Sequence, residues 1–452
     1  MPTQAEFEAL LGAELTQLAE EGCETESLTQ ELGRIRATLE KQAESLYELL
    51  LSEAAAAKPR EGFPYHEPST LAEIKMARSP GARHEAQALP SDDELQDRLL
   101  GAWLGRCSGC MLGKPVEGRL KTEIDALLEA AGVADLDDYF PPIAAVPPGV
   151  HYPGPDNNML RGNVTHGVRD DDTDYTVLGL HYLEDLGPDF DSKGVAQQWL
   201  EHLPFHCVYT AERVAYQNLV NGLAPPASAS YRNPYREWIG AQIRGDAFGY
   251  VAPGWPAKAA ELAFRDACVS HIKNGIYGEM FFAALIAAAL GGSDLPTAIN
   301  AALAEIPERS RLAEAMRNTV EWCERADSWL DVWSRIESKY GHYHPVHTIN
   351  NAAVVLMGLL IGRREEDPAK FHGRAIALAV RGGWDTDCNG ATAGSVAGAL
   401  VGARALDAKW TAPLNDRLES IVVGMTDNRI SDLAQRTLVA AKRVRGAEGD
   451  GK

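Results

Sequence analysis

Apolar residues recur every three or four positions along most of the chain, the spacing that places them on one face of an α-helix. The pattern is clear from residue 93 onward, in segments such as DELQDRLLGAWLGRCSGCMLG, DYTVLGLHYLEDL, IYGEMFFAALIAAAL and NNAAVVLMGLLIG. Runs of alternating β-branched residues, which would indicate strands, are almost absent. The pattern therefore predicts a compact, multi-helix, all-α domain over residues 93–446.

Residues 1–92 differ from that domain in their pattern. Between residues 4 and 52, Leu, Ala and Glu recur at helical spacing in FEALLGAELTQLAEE and LTQELGRIRATLEKQAESLYELLL, which predicts a hairpin of two amphipathic helices. Residues 54–92 are rich in Ala and Pro and lack periodicity, which predicts a linker or an irregular wrap. We expect this N-terminal helical extension to pack on the domain or to mediate homo-oligomerisation.

Composition narrows the class of protein. The chain has 452 residues, 45% of them hydrophobic and 24% charged, the balance of a soluble globular protein. Its apolar stretches fall short of the ~20 residues that cross a bilayer, and its acidic first residues do not resemble a secretory signal. A formal charge of −21 argues against affinity for nucleic-acid phosphates. We therefore expect a cytoplasmic protein that binds neither nucleic acid nor membrane.

The cysteines do not indicate a disulfide framework. There are seven, scattered over a long chain, so reduced thiols are expected. Cys107 and Cys110 have the C-x-x-C spacing, but no second pair completes a tetrahedral zinc site. We expect them to be buried small residues on a helix.

A stripe of glycines marks one of the last helices. Gly390, Gly394, Gly398 and Gly402 stand four apart in NGATAGSVAGALVGA, on one helical face. Each glycine costs about 1 kcal/mol in a helix interior, so the stripe needs a reason. Close approach by another helix or by a ligand would supply one.

Two groups of aspartates stand at predicted helix starts: Asp170, Asp171 and Asp172 in RDDDTDY, and Asp385 and Asp387 in RGGWDTDCNG. Either group alone is equally well explained by capping and by the helix dipole. A row of basic side chains is a second explanation, and a divalent metal is a third. Five aspartates gathered without a cation would repel one another and raise their own pKa values. Both groups together favour convergence on a hard cation such as Mg²⁺, Ca²⁺ or Mn²⁺ rather than zinc.

Three segments, in this order, resemble signatures of the ADP-ribosylglycohydrolase family. GCMLGKPVE resembles Gly-Asp-x-x-Gly-x-x-x-Glu, DDDT resembles Ser/Thr-Asp-Asp-Thr, and GGWDTDC resembles Gly-Gly-Asp-Thr-Asp-Thr. IGAQIRGDAFG is similar to the family's Gly-rich substrate-side stretch with its Arg, and SHIKNGIYGE to its Ser/Thr-His segment. The resemblance covers about residues 93–406 and does not extend to residues 1–92.

The resemblance implies an all-α fold with a dinuclear Mg²⁺ or Mn²⁺ site that hydrolyses a glycosidic bond at the anomeric carbon of a ribose. It places Glu117 on the family's functional glutamate, as the catalytic residue that moves a proton or steers the ribose; the alternative is a surface acid. The implied metal ligands are Asp170, Asp171, Asp172, Asp385 and Asp387. The predicted substrate-binding residues are Gly240, Arg244, His271, Trp384 and Cys388, with His271 ranked lower because a lone His is more often a core residue.

The chain also departs from the family signatures. Cys110 stands where the family has Asp, while Asp170 and Cys388 stand where it has hydroxyl ligands. Asp170 adds a negative charge and Cys388 offers a soft sulfur that Mg²⁺ binds poorly, so one metal position is expected to be altered. Trp384 is an extra residue between the glycines and the acids. It would stack a base or a sugar at the rim of the site, or it would be an ordinary packing residue.

Three functions follow as candidates. The first is a metal-dependent hydrolase of a ribosyl bond, above all an ADP-ribosyl bond, in a ribosylated or ADP-ribosylated small molecule or macromolecule. The second is a hydrolase of another N-riboside or nucleoside-like compound, and the third is a non-catalytic member that keeps only the fold. The retained acids argue against the third. The departures favour small, soluble substrates over arginine-linked or serine-linked ADP-ribose on proteins.

Overall fold

The structure of the protein is a computed structural model that describes residues 4–36, 40–79, 87–365 and 367–446. The all-α prediction is confirmed, since the regular structure in these ranges is helical apart from two three-residue strands. Within the same ranges, no helix combines the length and the apolar character needed to cross a bilayer.

The N-terminal extension contains four described helices: α1 (Gln4–Glu20), α2 (Glu26–Arg36), α3 (Glu40–Ala55) and α4 (Leu71–Ala77). Leu28 of α2 packs in the same small cluster as Ala54 of α3, so these two helices run back along each other. The prediction of a two-helix hairpin is therefore wrong, because its second helix is two helices. A continuous apolar pattern does not reveal where a chain reverses when both halves cover the same core. Residues 37–39, between α2 and α3, lie outside the described residues.

The predicted linker is only partly irregular. Its helix α4 is capped by Thr70, whose hydroxyl accepts from the N–H of Glu73 at 3.4 Å. Ile74 of α4 is fully buried in the core of the main domain. Residues 80–86 of the linker lie outside the described residues.

The main domain begins at α5, with Ser91 as its N-cap. Its helices are α5 (Asp92–Gly113), α6 (Lys121–Ala130), α7 (Asp171–Asp185), α8 (Ser192–His202), α9 (Thr210–Val220), α10 (Ala227–Ser230), α11 (Gly245–Tyr250), α12 (Pro256–Ala267), α13 (Lys273–Leu290), α14 (Leu295–Leu303), α15 (Arg311–Arg325), α16 (Trp329–Tyr340), α17 (Thr348–Gly362), α18 (Pro368–Arg381), α19 (Thr386–Val401), α20 (Ala408–Thr411) and α21 (Ile430–Gly446). Short 3-10 helices span Lys114–Val116, Phe205–Cys207, Gln242–Arg244, Ala403–Ala405 and Ala412–Leu414.

The strands form one small hairpin near the C-terminus. β1 (Arg417–Glu419) pairs antiparallel with β2 (Asp427–Arg429). Gly167, just before α7, bonds to β1 on both sides: its N–H donates to the Arg417 carbonyl and its carbonyl accepts from the Glu419 N–H, each at 2.9 Å. The hairpin therefore holds the segment that leads into α7.

The core is built around α5, α13 and α19. α13 is buried along nearly its whole length, as expected for a helix that is apolar on all its faces. α19 packs between α5, α17 and α18. The apolar stretches MFFAALIAAAL, in α13, and ATAGSVAGALV, in α19, are thus parts of central helices of the domain.

α5 and α19 touch through their backbones. A Cβ placed on Gly105 would lie 2.1 Å from the carbonyl oxygen of Gly394, and one on Gly109 would lie 1.9 Å from that of Gly390. The same holds in reverse for Gly394 against Gly105, at 2.0 Å. Of the two explanations for the glycine stripe, the structure supports close approach by a helix. The matching glycine stripe on α5 lies in GAWLGRCSGCMLG.

The extension packs on the domain through buried ion pairs. Arg236 of the domain binds Glu14 at 2.8 Å and Glu21 at 2.7 Å, and Arg311 binds Glu67 at 2.8 Å. All five side chains are less than 10% exposed. Breaking a buried pair by removing one partner is strongly destabilising, so the extension is part of the folded structure.

The glycine contact predicts a large effect of a single methyl group. In Gly394→Ala the new Cβ would meet the backbone of α5, which cannot rotate away, so the unfolding free energy should fall by about 1–3 kcal/mol or more. Thermal unfolding followed by circular dichroism measures the change.

Gly12→Ala is the matched control, because Gly12 lies inside α1 and its new Cβ would meet nothing within 4 Å. That variant should gain up to about 1 kcal/mol from helix propensity. An unchanged melting temperature for Gly394→Ala would contradict the backbone contact.

Candidate metal centre

Three helix ends meet at one place. α7 starts after Asp170, whose side chain caps it by accepting from the N–H of Asp172 at 3.0 Å. α19 starts after Asp385. The C-terminal end of α5 lies against the first turn of α19, where the Thr386 hydroxyl donates to the Gly113 carbonyl at 2.8 Å. The partial positive charges of two helix N-termini therefore face this region, which favours carboxylates there.

The acids of the two segments come together. In the described part of the chain, the donor atoms form three groups, each within 4.8 Å: Cys110, Asp170 and Asp172; Asp172, Asp387 and Cys388; Glu117, Asp385 and Asp387. Asp172 and Asp387 are each shared by two groups. Asp171, which is half-buried, offers no atom to any of the three groups.

The centre contains carboxylate oxygens without hydrogen-bond partners. Asp172 is 1% exposed, and neither of its carboxylate oxygens is hydrogen-bonded. Oδ1 of Asp387, a residue 3% exposed, is likewise without a partner. Burying an ionised carboxylate without hydrogen bonds lowers the stability of the fold by roughly several kcal/mol. These oxygens therefore fit a cation supplied from outside the chain.

The pKa values also indicate an excess of negative charge in this cluster. Burial, followed by the charges of Asp170 and Asp387, raises the pKa of Asp172 well above its usual range. Burial, followed by the charge of Asp387, does the same to the pKa of Asp385. Glu117 is exposed, yet its carboxyl group is partly shielded from water. This shielding and the charges of neighbouring acids, Asp385 first, raise its pKa to about 7. The acids therefore crowd one another unless a cation neutralises them.

Two basic side chains that the sequence prediction missed lie within this centre. The Lys114 ammonium donates to the carboxylate of Asp170, and it lowers the pKa of that group although burial opposes the effect. The fully buried Arg106 donates to the backbone carbonyl of Asp172 at 2.7 Å and lies 3.5 Å from its Oδ1. Arg106, Cys110 and Lys114 are four residues apart and share one face of α5, which was the available signal. The charge that Asp170 adds is therefore balanced by Lys114.

Both cysteines of the centre are buried thiols. Cys110 is 1% exposed and Cys388 is 7% exposed, and neither is in a disulfide. Burial, reinforced by neighbouring aspartates, raises both thiol pKa values well above their usual range. Neutral thiols are weak ligands for hard cations. Cys388, predicted to bind substrate, instead lies among Asp172 and Asp387.

Gly240 and Arg244 lie in a buried ionic network and not at an open surface. Arg244 is 1% exposed, binds Glu212 at 2.6 Å, pairs with Asp266 and lies 3.6 Å from Glu279. A Cβ on Gly240 would lie 2.0 Å from the Glu212 carboxylate. The prediction that Gly240 and Arg244 touch substrate is not supported, because packed carboxylates already occupy the space around both.

His271 is also enclosed. It is fully buried, and its Nδ1 is 2.8 Å from the hydroxyl of Ser270. Burial, followed by the charge of Arg244, lowers the pKa of His271 well below its usual range, so the ring is neutral. The alternative interpretation, a core histidine, fits this placement better than contact with substrate.

Trp384 is not at the rim of the site. It is 6% exposed and its ring belongs to the hydrophobic core, which matches the packing interpretation. Its φ of +68° is unusual for a bulky residue and stores strain. Its N–H donates to the Arg119 carbonyl at 2.8 Å, and its carbonyl accepts from the Gly118 N–H at 2.9 Å. Trp384 therefore fastens the loop after Glu117 to the start of α19.

Comparison with known proteins gives the family. The model of the family described as ADP-ribosylglycohydrolase matches residues 91–448. A solved structure described as an "ADP-ribosylglycohydrolase-related protein complex" is similar at 21% sequence identity, with a TM-score of 0.48, over 78% of this chain and 99% of that chain. No curated protein matches the chain. Since the family match covers most of the chain, this protein belongs to the ADP-ribosylglycohydrolase family.

Proposed function

We propose that the protein is a metal-dependent hydrolase that cleaves a ribosyl bond, above all an ADP-ribosyl bond, at the anomeric carbon. Family membership supports a glycohydrolase of this type. The observation that carries the proposal is the set of buried carboxylate oxygens on Asp172 and Asp387 that lack hydrogen bonds, beside the exposed carboxylate of Glu117.

The donor set fits Mg²⁺ or Mn²⁺. Asp172, Asp385 and Asp387 present carboxylate oxygens from two helix starts, and hard divalent cations prefer such ligands. A bound ion of this kind would supply electrophilic assistance, by holding ribose hydroxyls and acidifying the attacking water. The rigid starts of α7 and α19 would keep these three side chains in place.

Glu117 is the residue best placed to act on the substrate. Its carboxylate lies within 4.8 Å of donor atoms of Asp385 and Asp387, and it is exposed while they are buried. As the glycosidic bond breaks, the anomeric carbon becomes oxocarbenium-like. A nearby carboxyl group can deliver a proton to the leaving group or take one from the attacking water. The backbone bonds of Trp384 restrain the loop that carries Glu117.

Two differences from the family signatures support an inference about the leaving group. Asp170 and Cys388 stand where the family has hydroxyls, and both lie in the donor groups. We infer a leaving group other than the arginine or serine side chain of an ADP-ribosylated protein, with small soluble substrates preferred. Trp384 no longer contributes to this inference, because its ring is buried.

Turnover of a panel of ribosylated and ADP-ribosylated compounds tests the proposal. With Mg²⁺ or Mn²⁺, we expect release of ribose or ADP-ribose from at least one small compound, and loss of turnover with a chelator. Chromatography of the products measures both. No turnover of any compound would overturn the hydrolase, whereas turnover of modified proteins alone would overturn only the substrate preference.

Metal binding should depend on Asp387. For the unaltered protein, Mn²⁺ at a hundredfold excess over its dissociation constant should add about 2.7 kcal/mol to the unfolding free energy. Asp387→Asn should lose most of this gain, because the shared carboxylate is removed. Calorimetric titration and thermal unfolding measure the two quantities.

Asp189→Asn removes an exposed acid outside the centre and should leave Mn²⁺ binding unchanged. The absence of Mn²⁺ binding to the unaltered protein would sink the metal centre. Full retention of binding by Asp387→Asn would remove Asp387 from it.

Glu117→Gln should lower kcat by about 100-fold or more while KM changes little, because the residue is assigned to the reacting state. Steady-state kinetics at saturating Mn²⁺ gives both constants. Glu129→Gln, an exposed acid on α6, is the control and should behave as the unaltered enzyme. A kcat within about threefold of the unaltered value would contradict the catalytic role of Glu117.

A further inference from the structure

Lys114 differs from an ordinary surface lysine. Its side chain is 21% exposed, and its ammonium contacts the carboxylate of Asp170, which is 2% exposed. That carboxylate also accepts from the N–H of Asp172 at 3.0 Å. Both oxygens of Asp170 are therefore engaged by groups of the chain, in contrast to both oxygens of Asp172.

The backbone holds Lys114 at this position. Lys114 is the C-cap of α5 and donates its N–H to the carbonyl of Cys110. The preceding Gly113 lies so close to α19 that a Cβ on it would be 2.1 Å from the carbonyl oxygen of Thr386. A helix C-terminus also favours a cation. The contact between α5 and α19, on which the fold depends, thus places the ammonium beside the acidic cluster.

Two of the three donor groups differ in what they offer a divalent ion. The group of Cys110, Asp170 and Asp172 contains one thiol and one carboxylate already paired with Lys114. The group of Glu117, Asp385 and Asp387 contains three carboxylates. A fixed ammonium repels a divalent ion at close range, and both burial and low dielectric strengthen that repulsion.

We propose that the Lys114 ammonium takes the place of a metal ion beside Asp170, so that divalent ions bind only on the Asp385 and Asp387 side of the cluster. Asp170 is then a partner of Lys114 and not a metal ligand. The inference rests on the proposed metal centre and specifies which of its acids hold ions. It replaces the expectation of two ions that include Asp170 among their ligands.

The number of Mn²⁺ ions bound per chain tests the inference. Lys114→Met removes the charge at nearly constant length, and that variant should bind one more ion than the unaltered protein, measured by elemental analysis after equilibrium dialysis. Lys114→Arg keeps a cation and should leave the number unchanged. Lys121→Met is the matched control, because Lys121 pairs with Asp125 outside the cluster.

Anomalous scattering from crystals of the unaltered protein soaked in Mn²⁺ is the second measurement, and it does not depend on the folding of a variant. A peak is expected at Asp385 and Asp387, and none at Asp170. Mn²⁺ ligated by Asp170 in the unaltered protein would overturn the inference. So would an unchanged ion number in folded Lys114→Met.

The outcomes separate the inference from the proposed function. Mn²⁺ bound at Asp385 and Asp387 with an unchanged number in Lys114→Met leaves the metal centre standing and removes only the role of Lys114. Mn²⁺ absent from both proteins overturns the metal centre and the inference together.

Discussion

The site depends on the direct contact between the backbones of α5 and α19. Because Gly105 meets Gly394 and Gly109 meets Gly390, the two helices are antiparallel in one register. The end of α5 then falls beside the start of α19, where Gly113 lies against Thr386. A slip by one helical turn would separate these ends by about 5.4 Å. The helix-propensity cost of the glycines is thus offset by a contact that larger residues would prevent.

Much of this arrangement could be predicted from the sequence, but only one of the two helices in the glycine contact was identified. The stripe on α19 predicted close approach without identifying its partner, and the stripe on α5 lies far away in the chain. The two acidic segments were predicted to converge, and the structure brings Asp172 and Asp387 within one donor group. Both predictions rest on local features, glycine spacing and acids at helix starts, which a sequence shows directly.

What the sequence did not show is which polar residues are enclosed. The carboxylates that surround Arg244 come from α9, α12 and α13, so its burial depends on three distant segments. Similarity of a motif identifies the segment but not the exposure of its side chains. The same limit applies to Trp384, whose position in the core follows from a positive φ that no residue pattern predicts. Lys114 and Arg106 were missed because basic residues near acids are common at surfaces.

The extension shows how buried ion pairs can join two parts of a chain. Arg311 reaches the carboxylates of both Glu67, in the extension, and Glu237, in the domain. The backbone N–H of Arg311 also donates to Glu67 at 2.8 Å, and Asn274 donates to the same carboxylate at 2.8 Å. Each buried charge is paired and hydrogen-bonded, which is the condition under which burial of ions is tolerated. The acids of this interface differ from Asp172 of the proposed metal centre, neither of whose carboxylate oxygens is hydrogen-bonded.

That difference explains how charge is divided within the metal centre. A cation carried by the chain acts most strongly on the group it touches, since its position is fixed by the fold. Lys114 pairs with Asp170. Arg106 pairs with Asp246 at 2.8 Å and also donates to the backbone carbonyl of Asp172. Asp170, paired with Lys114, therefore adds no net charge to the proposed centre. The negative charge that still needs a partner is concentrated on Asp172, Asp385 and Asp387, where an ion from solution would gain the most by binding.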